Sequence, residues 1–156
     1  MMKKIIKIGF ALIIAFLIQT SLLKIHFHFL LLIDFFSLVV IYFALNGGEG
    51  EGMLIGTVSG LIEDSFTFTI FGINGFSKTV LGFIAGYIGS MIDATHLIVL
   101  FPLIFIGVLI EIIINFLLCY LIGVKIHLSA KILFLQPLLT AFVGCIIFKI
   151  VFKFKK

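Results

Sequence analysis

The chain has 156 residues, of which 63% are hydrophobic and 12% charged, with a formal net charge of +4 and a mean hydropathy of +1.41. A soluble domain carries about 25% charged residues, so this composition excludes an ordinary water-covered surface, which here would be one large apolar patch. All 11 basic residues are lysines gathered mostly at the two ends, which excludes the clustered basic face of a nucleic-acid-binding protein.

A helix needs roughly 20 apolar residues to cross a hydrocarbon core about 30 Å thick. Six runs of about that length follow one another: 5–23, 27–45, 53–71, 76–92, 97–122 and 132–152. The expected fold is all-α, a polytopic transmembrane bundle forming a single integral membrane domain over residues 1–156.

Lys3, Lys4 and Lys7 precede the first run, and Gln19 to Leu23 offers no small-x-small cleavage site. It therefore reads as a span and not as a signal peptide. Lys24, His26 and His28 form a polar turn before the second run, which only Asp34 interrupts. Asn46 to Gly52 is rich in glycine and acid but lacks a complete phosphate-binding pattern, so it reads as a flexible interfacial turn.

The third run contains Glu63 and Asp64, and its β-branched and aromatic second half, Ser65 to Phe71, predicts a broken or re-entrant end. If that segment does not cross, the spans number five. The fourth run starts beside Lys78, and Asp93, Thr95 and His96 form the next turn. Pro102, Glu111 and Asn115 lie in the fifth run, with Lys125, His127 and Lys131 in the loop after it. The last run has Pro137 near its start and closes on Lys149, Lys153, Lys155 and Lys156.

Six spans put both termini on one side with Lys3, Lys4, Lys7, Lys149, Lys153, Lys155 and Lys156, against Lys24, Lys78, Lys125 and Lys131 on the other. The positive-inside rule then places both termini in the cytoplasm. Cys119 and Cys145 sit in separate apolar runs without metal-site spacing and read as small buried residues. No nucleophile, zinc or acid–base motif occurs, so a non-catalytic protein without metal or cofactor is expected.

Two patterns remain. Gly52, Gly56 and Gly60 recur every four residues, as do Gly82, Gly86 and Ser90, with Ala85 and Gly89 alongside. Small residues let membrane helices approach closely, so these glycines predict tight packing of the third and fourth helices together or against neighbours, or a docking face for a partner. Ala11 and Ala15 form a weaker pair of the same kind. The second pattern is polar: counting helical rise places Asp34, Asp64, Glu111 and Lys78 together in the outer half of the bundle, with Asn115 one turn past Glu111. Intramembrane acids are costly and are commonly paired. The cluster reads either as a knot fixing helix register or as a site for a cation or proton.

From Asp34 through Ala44-Leu45, the glycine loop, Gly56 to Gly60-Leu61-Ile62-Glu63-Asp64, Gly72-Ile73-Asn74-Gly75 and Gly86-Tyr87-Ile88-Gly89, the chain resembles the rod shape-determining MreD family. The resemblance is detailed over residues of about 30 to 90. It departs at Ile33, where the family often has proline, and at Glu63, commonly neutral. It implies a fold similar to the S components of energy-coupling-factor transporters. It further implies a non-catalytic membrane component of bacterial cell elongation, in the cytoplasmic membrane. The implied partners are MreC, with MreB, RodA-type glycosyltransferase and class B penicillin-binding protein nearby, together with membrane lipids. Two other readings stay open: a small-solute-binding S component, and a proton- or cation-coupled pathway through Asp34, Asp64 and Glu111.

Overall fold

The computed structural model describes residues 2–24, 32–67, 70–92, 97–124 and 130–154. Among them are six helices: α1 Met2–Lys24, α2 Phe35–Gly47, α3 Glu49–Thr67, α4 Ile73–Met91, α5 Leu97–Leu121 and α6 Ala130–Phe154. No strand occurs among the described residues. His26, His28, Asp93, Thr95, His96, Lys125 and His127 lie outside them.

Apolar length is what makes α5 and α6 helices. Ile98–Leu121 and Leu133–Val151 are long and apolar enough to cross a membrane, and Ile6–Ser21 and Phe35–Gly47 are shorter apolar helical stretches. Pro137 lies in the interior of α6 and is fully buried. It has no N–H to donate to the carbonyl four residues back, so neighbouring helices, and not the local ladder, hold this turn.

α2 differs from the expected run 27–45. It starts at Phe35 and has 13 residues, about 20 Å of rise. The reason is local: Asp34 is an extended N-cap whose side chain accepts from the Ser37 amide, so helical geometry begins after it.

The glycine-rich stretch also differs from expectation. In place of a flexible loop, α2 runs through Gly47 and α3 begins at Glu49, leaving Gly48 as the whole connection. Gly48 has φ 83, a left-handed backbone that a side chain would strain. Its amide bonds to the Ala44 carbonyl at 2.8 Å, and the Gly52 amide bonds to the Gly48 carbonyl at 3.0 Å. Glu49 and Glu51 lie in the first turn of α3, where negative charge complements the helix dipole. Further on, the anticipated break after Ser65 is absent up to Thr67, where α3 is still helical.

α2 is the hub, touching each of the other five helices, while α3 packs most closely on α4 and α5 on α6. Among the described residues α1 touches α2 and α3 alone. The main core joins Leu38, Val40, Ile41 and Ala44 of α2 to Leu81 and Ala85 of α4, Ile104 and Val108 of α5, and Phe148 of α6. Large apolar side chains also cover the outside, with Ile98 88% exposed and Leu54 70% exposed. Water would not tolerate such a perimeter; lipid is its natural solvent.

Candidate functional site: a buried ion cluster beside a glycine seam

The ion cluster begins with Lys78, one turn into α4 and fully buried. Its ammonium lies 2.6 Å from Asp34 Oδ2, 2.5 Å from Glu111 Oε1 and 3.1 Å from Glu63 Oε2. It also donates to Ser37 Oγ at 2.7 Å. Four helices thus each bring a charge or its cap to one point: the head of α2, then α3, α4 and α5. Placed at the bundle rim, as its position near a helix start had suggested, Lys78 would snorkel to water. Instead three carboxyl groups hold it inside.

Asp34 does two things. Oδ1 caps α2 through the Ser37 amide at 3.0 Å, and Oδ2 accepts from both Lys78 and the Ser37 hydroxyl, the latter at 2.7 Å. Its backbone amide donates to Thr140 Oγ1 of α6 at 3.2 Å, and the next amide, of Phe35, donates to Gln19 Oε1 of α1 at 3.4 Å. Three amides at the start of α2 are therefore satisfied by side chains, one each from α1, α6 and the cap itself.

Asp64 stands apart from this cluster. It turns to the α3–α4 connection and accepts from the amides of Gly72 at 2.8 Å, Asn74 at 3.2 Å and Gly75 at 3.3 Å. Gly72, in the left-handed region at φ 103, has no side chain with which to cap α4. Asp64 supplies that cap from the preceding helix, and its neighbour Glu63 is the acid that reaches Lys78. Asp64→Ala is expected to cost about 0.5–2 kcal/mol of stability, the range for losing an N-cap, with Asp64→Asn intermediate because one acceptor oxygen remains. Thermal unfolding of the purified protein checks this, and unchanged melting for both variants would remove the capping role.

Asn115 lies at the edge of the cluster without touching its charges. It accepts from Ser77 Oγ at 2.8 Å and donates to Asn74 Oδ1 at 2.9 Å, linking α5 to α4. Sequence reasoning missed Ser37, Ser77, Asn74 and Thr140. Ser37 had a readable signal, because a polar residue three positions after a helix-opening Asp is where a capped amide falls.

The glycines form the seam that permits this convergence. A Cβ on Gly52 would meet the Gly82 carbonyl oxygen, one on Gly56 the Lys78 carbonyl oxygen, and one on Gly60 the Asn74 carbonyl oxygen. From the other side, Gly82 meets the Gly52 carbonyl, while Gly86 would place a Cβ 2.6 Å from the Glu49 amide nitrogen and Gly89 one 2.9 Å from Leu45 Cα. The six glycines are filled from within, by α3 against α4 and by α4 against the α2–α3 turn. Five of them are buried and Gly89 is half-buried, so the seam is occupied by the chain's own helices.

What the site can do chemically is narrow. No group of three or more His, Cys, Asp or Glu among the described residues is arranged to hold a metal ion. A cavity of about 360 Å³ is a groove between α1, α2 and α6 lined by side chains such as Ala11, Ala15, Val39, Tyr42 and Phe148, none of them a member of the ion cluster. A family model described as rod shape-determining protein MreD matches residues 2–156. No curated protein and no solved structure matches the chain.

Proposed function

The chain belongs to the MreD family of rod shape-determining proteins, which are non-catalytic membrane proteins, and from that premise we propose that it is a scaffold of the bacterial cell-elongation machinery. In this reading it is a polytopic bundle of six spans in the cytoplasmic membrane, with both termini on the cytoplasmic side. It holds MreC in place and, through it, the RodA-type glycosyltransferase, class B penicillin-binding protein and MreB that build and guide new wall.

The observation that carries this reading is the family match over nearly the whole chain. The interior agrees with a rigid part more than with a carrier. The acids that would bind a cationic solute converge on the chain's own ammonium, and the groove beside α1 is lined by apolar side chains. Lys7 and Lys149 are exposed, near the starts and ends of α1 and α6 respectively, as the lysine rule requires of cytoplasmic ends. In this reading MreC docks on the outward apolar faces, where Leu54, Ile98 and Phe142 are exposed.

Depletion in the native host is expected to round the cells while their growth in mass continues, scored by the length-to-width ratio. Rods that keep their shape after the protein has disappeared would sink the proposal. Co-purification with MreC from wild-type cells is the second readout. Recovery of a stoichiometric small metabolite from the purified protein would favour the solute-binding reading.

A further inference from the structure

The Ser37 hydroxyl has more close neighbours than one hydrogen can serve. Its oxygen lies 2.7 Å from Asp34 Oδ2, 2.5 Å from Glu111 Oε2 and 2.7 Å from Lys78 Nζ. A hydroxyl has one hydrogen and two lone pairs, and an ammonium can only donate. Lys78 therefore takes one lone pair. The hydroxyl hydrogen lies on one of the two oxygen–oxygen contacts and cannot lie on both. With both carboxyls ionised, the other contact would press two oxygens together with no hydrogen between them, in surroundings where bare charge is poorly screened.

A carboxyl proton resolves the contact, donated to the second lone pair of Ser37. The geometry selects its owner. Asp34 is satisfied as a carboxylate, with Oδ1 on the Ser37 amide and Oδ2 taking Lys78 and the hydroxyl hydrogen. Glu111 Oε1 accepts from Lys78, and Oε2 has Ser37 Oγ as its hydrogen-bond partner. A proton on Oε2 completes every bond in the set.

We propose that Glu111 is a proton-binding site, held as a neutral carboxylic acid whose Oε2–H donates to Ser37 and so fastens α5 to the head of α2. The groups facing it are Asp34 and Ser37 from α2, Glu63 from α3 and Lys78 from α4. Among the described residues, α1 and α6 bring the uncharged Gln19 and Thr140 to the same helix start, and Asn115 on α5 is bonded to Ser77 and Asn74. Three carboxyls share one ammonium, so a proton here also lowers the charge that the interior must carry. Its release leaves two facing oxygens without a hydrogen, and the contact between α5 and α2 opens.

The test uses the full chain in lipid nanodiscs, with glutamate carrying carbon-13. Infrared spectra at neutral pH are expected to contain the carbonyl stretch of a protonated glutamic acid, moved by the label and lost in Glu111→Gln. A spectrum with no such Glu111-dependent band overturns the proposal. Thermal unfolding gives the second arm. A glutamine side chain donates from Nε2 to Ser37 and accepts at Oε1 from Lys78, copying the neutral acid. Glu111→Gln is therefore expected to melt with the wild type while Asp34→Asn melts well below it. Equal loss in the two variants, or a Glu111→Gln chain that does not fold, would show that Glu111 is ionised and the proposal wrong.

Discussion

Lys78→Met is expected to remove folded protein from the membrane almost completely. The methionine is close in length to lysine, so volume is nearly kept while the charge is lost. Asp34, Glu63 and Glu111 would then share a fully buried point with no cation. Removing one partner of a buried ion pair costs about 3–5 kcal/mol, a large part of the 5–15 kcal/mol that holds a typical protein folded. Size-exclusion of a fluorescent fusion after mild solubilisation reads the loss directly. The control is Lys78→Met combined with Asp34→Asn and Glu63→Gln, which removes the stranded charges and should recover part of the folded peak. If the single variant elutes and melts like the wild type, the cluster does not hold the bundle together.

The second large effect belongs to Gly56. A Cβ there would run into the Lys78 carbonyl and lie 3.0 Å from Thr79 Cα, both backbone. A side chain can rotate away from a clash; backbone in the middle of a packed helix cannot. Gly56→Ala is expected to cost roughly 3 kcal/mol, the upper end of the range for overpacking, and Gly56→Leu to prevent assembly. Because α4 would be pushed outward at the residue that carries the ammonium, the ion cluster should loosen in the same variant. Gly50→Ala is the matched control: it lies in α3 with no atom within 4 Å of the added carbon, and helix propensity favours alanine there by about 1 kcal/mol. Melting temperatures of the two variants should move in opposite directions. A Gly56→Ala protein as stable as the wild type would mean that α3 and α4 are not packed as described.

Much of this was legible in the chain. Apolar run length located the helices, and four-residue glycine spacing located the α3–α4 seam, because close approach demands the same small residue at every turn. Counting helical rise brought Asp34, Lys78 and Glu111 to a common level. It failed to choose between Glu63 and Asp64, since depth distinguishes adjacent residues by only about 1.5 Å while their directions differ by about 100°. The choice lay in rotation, and a clue existed. Glu63 follows Gly56 by seven residues, almost two full turns, and so returns to the face that meets α4 at Lys78. Asp64, rotated onward, meets the start of α4 and caps it. The glycine-rich stretch was misread for a different reason. Composition measures how freely a backbone can turn, and only tertiary packing decides that one residue, Gly48, does all of the turning.

The one-residue turn at Gly48 has a consequence for how this protein enters a bilayer. α2 has 13 residues and α3 carries Glu49, Glu51, Glu63 and Asp64, so neither segment is a strong stop for the insertion machinery by itself. In the proposed six-span arrangement, segments joined so tightly go in together, as a hairpin. That hairpin emerges with Asp34 and Glu63 while Lys78 is still inside the ribosome, and Glu111 arrives later still. The order of emergence then leaves the early hairpin carrying acid without its cation, so in that arrangement its commitment to the membrane waits on α4.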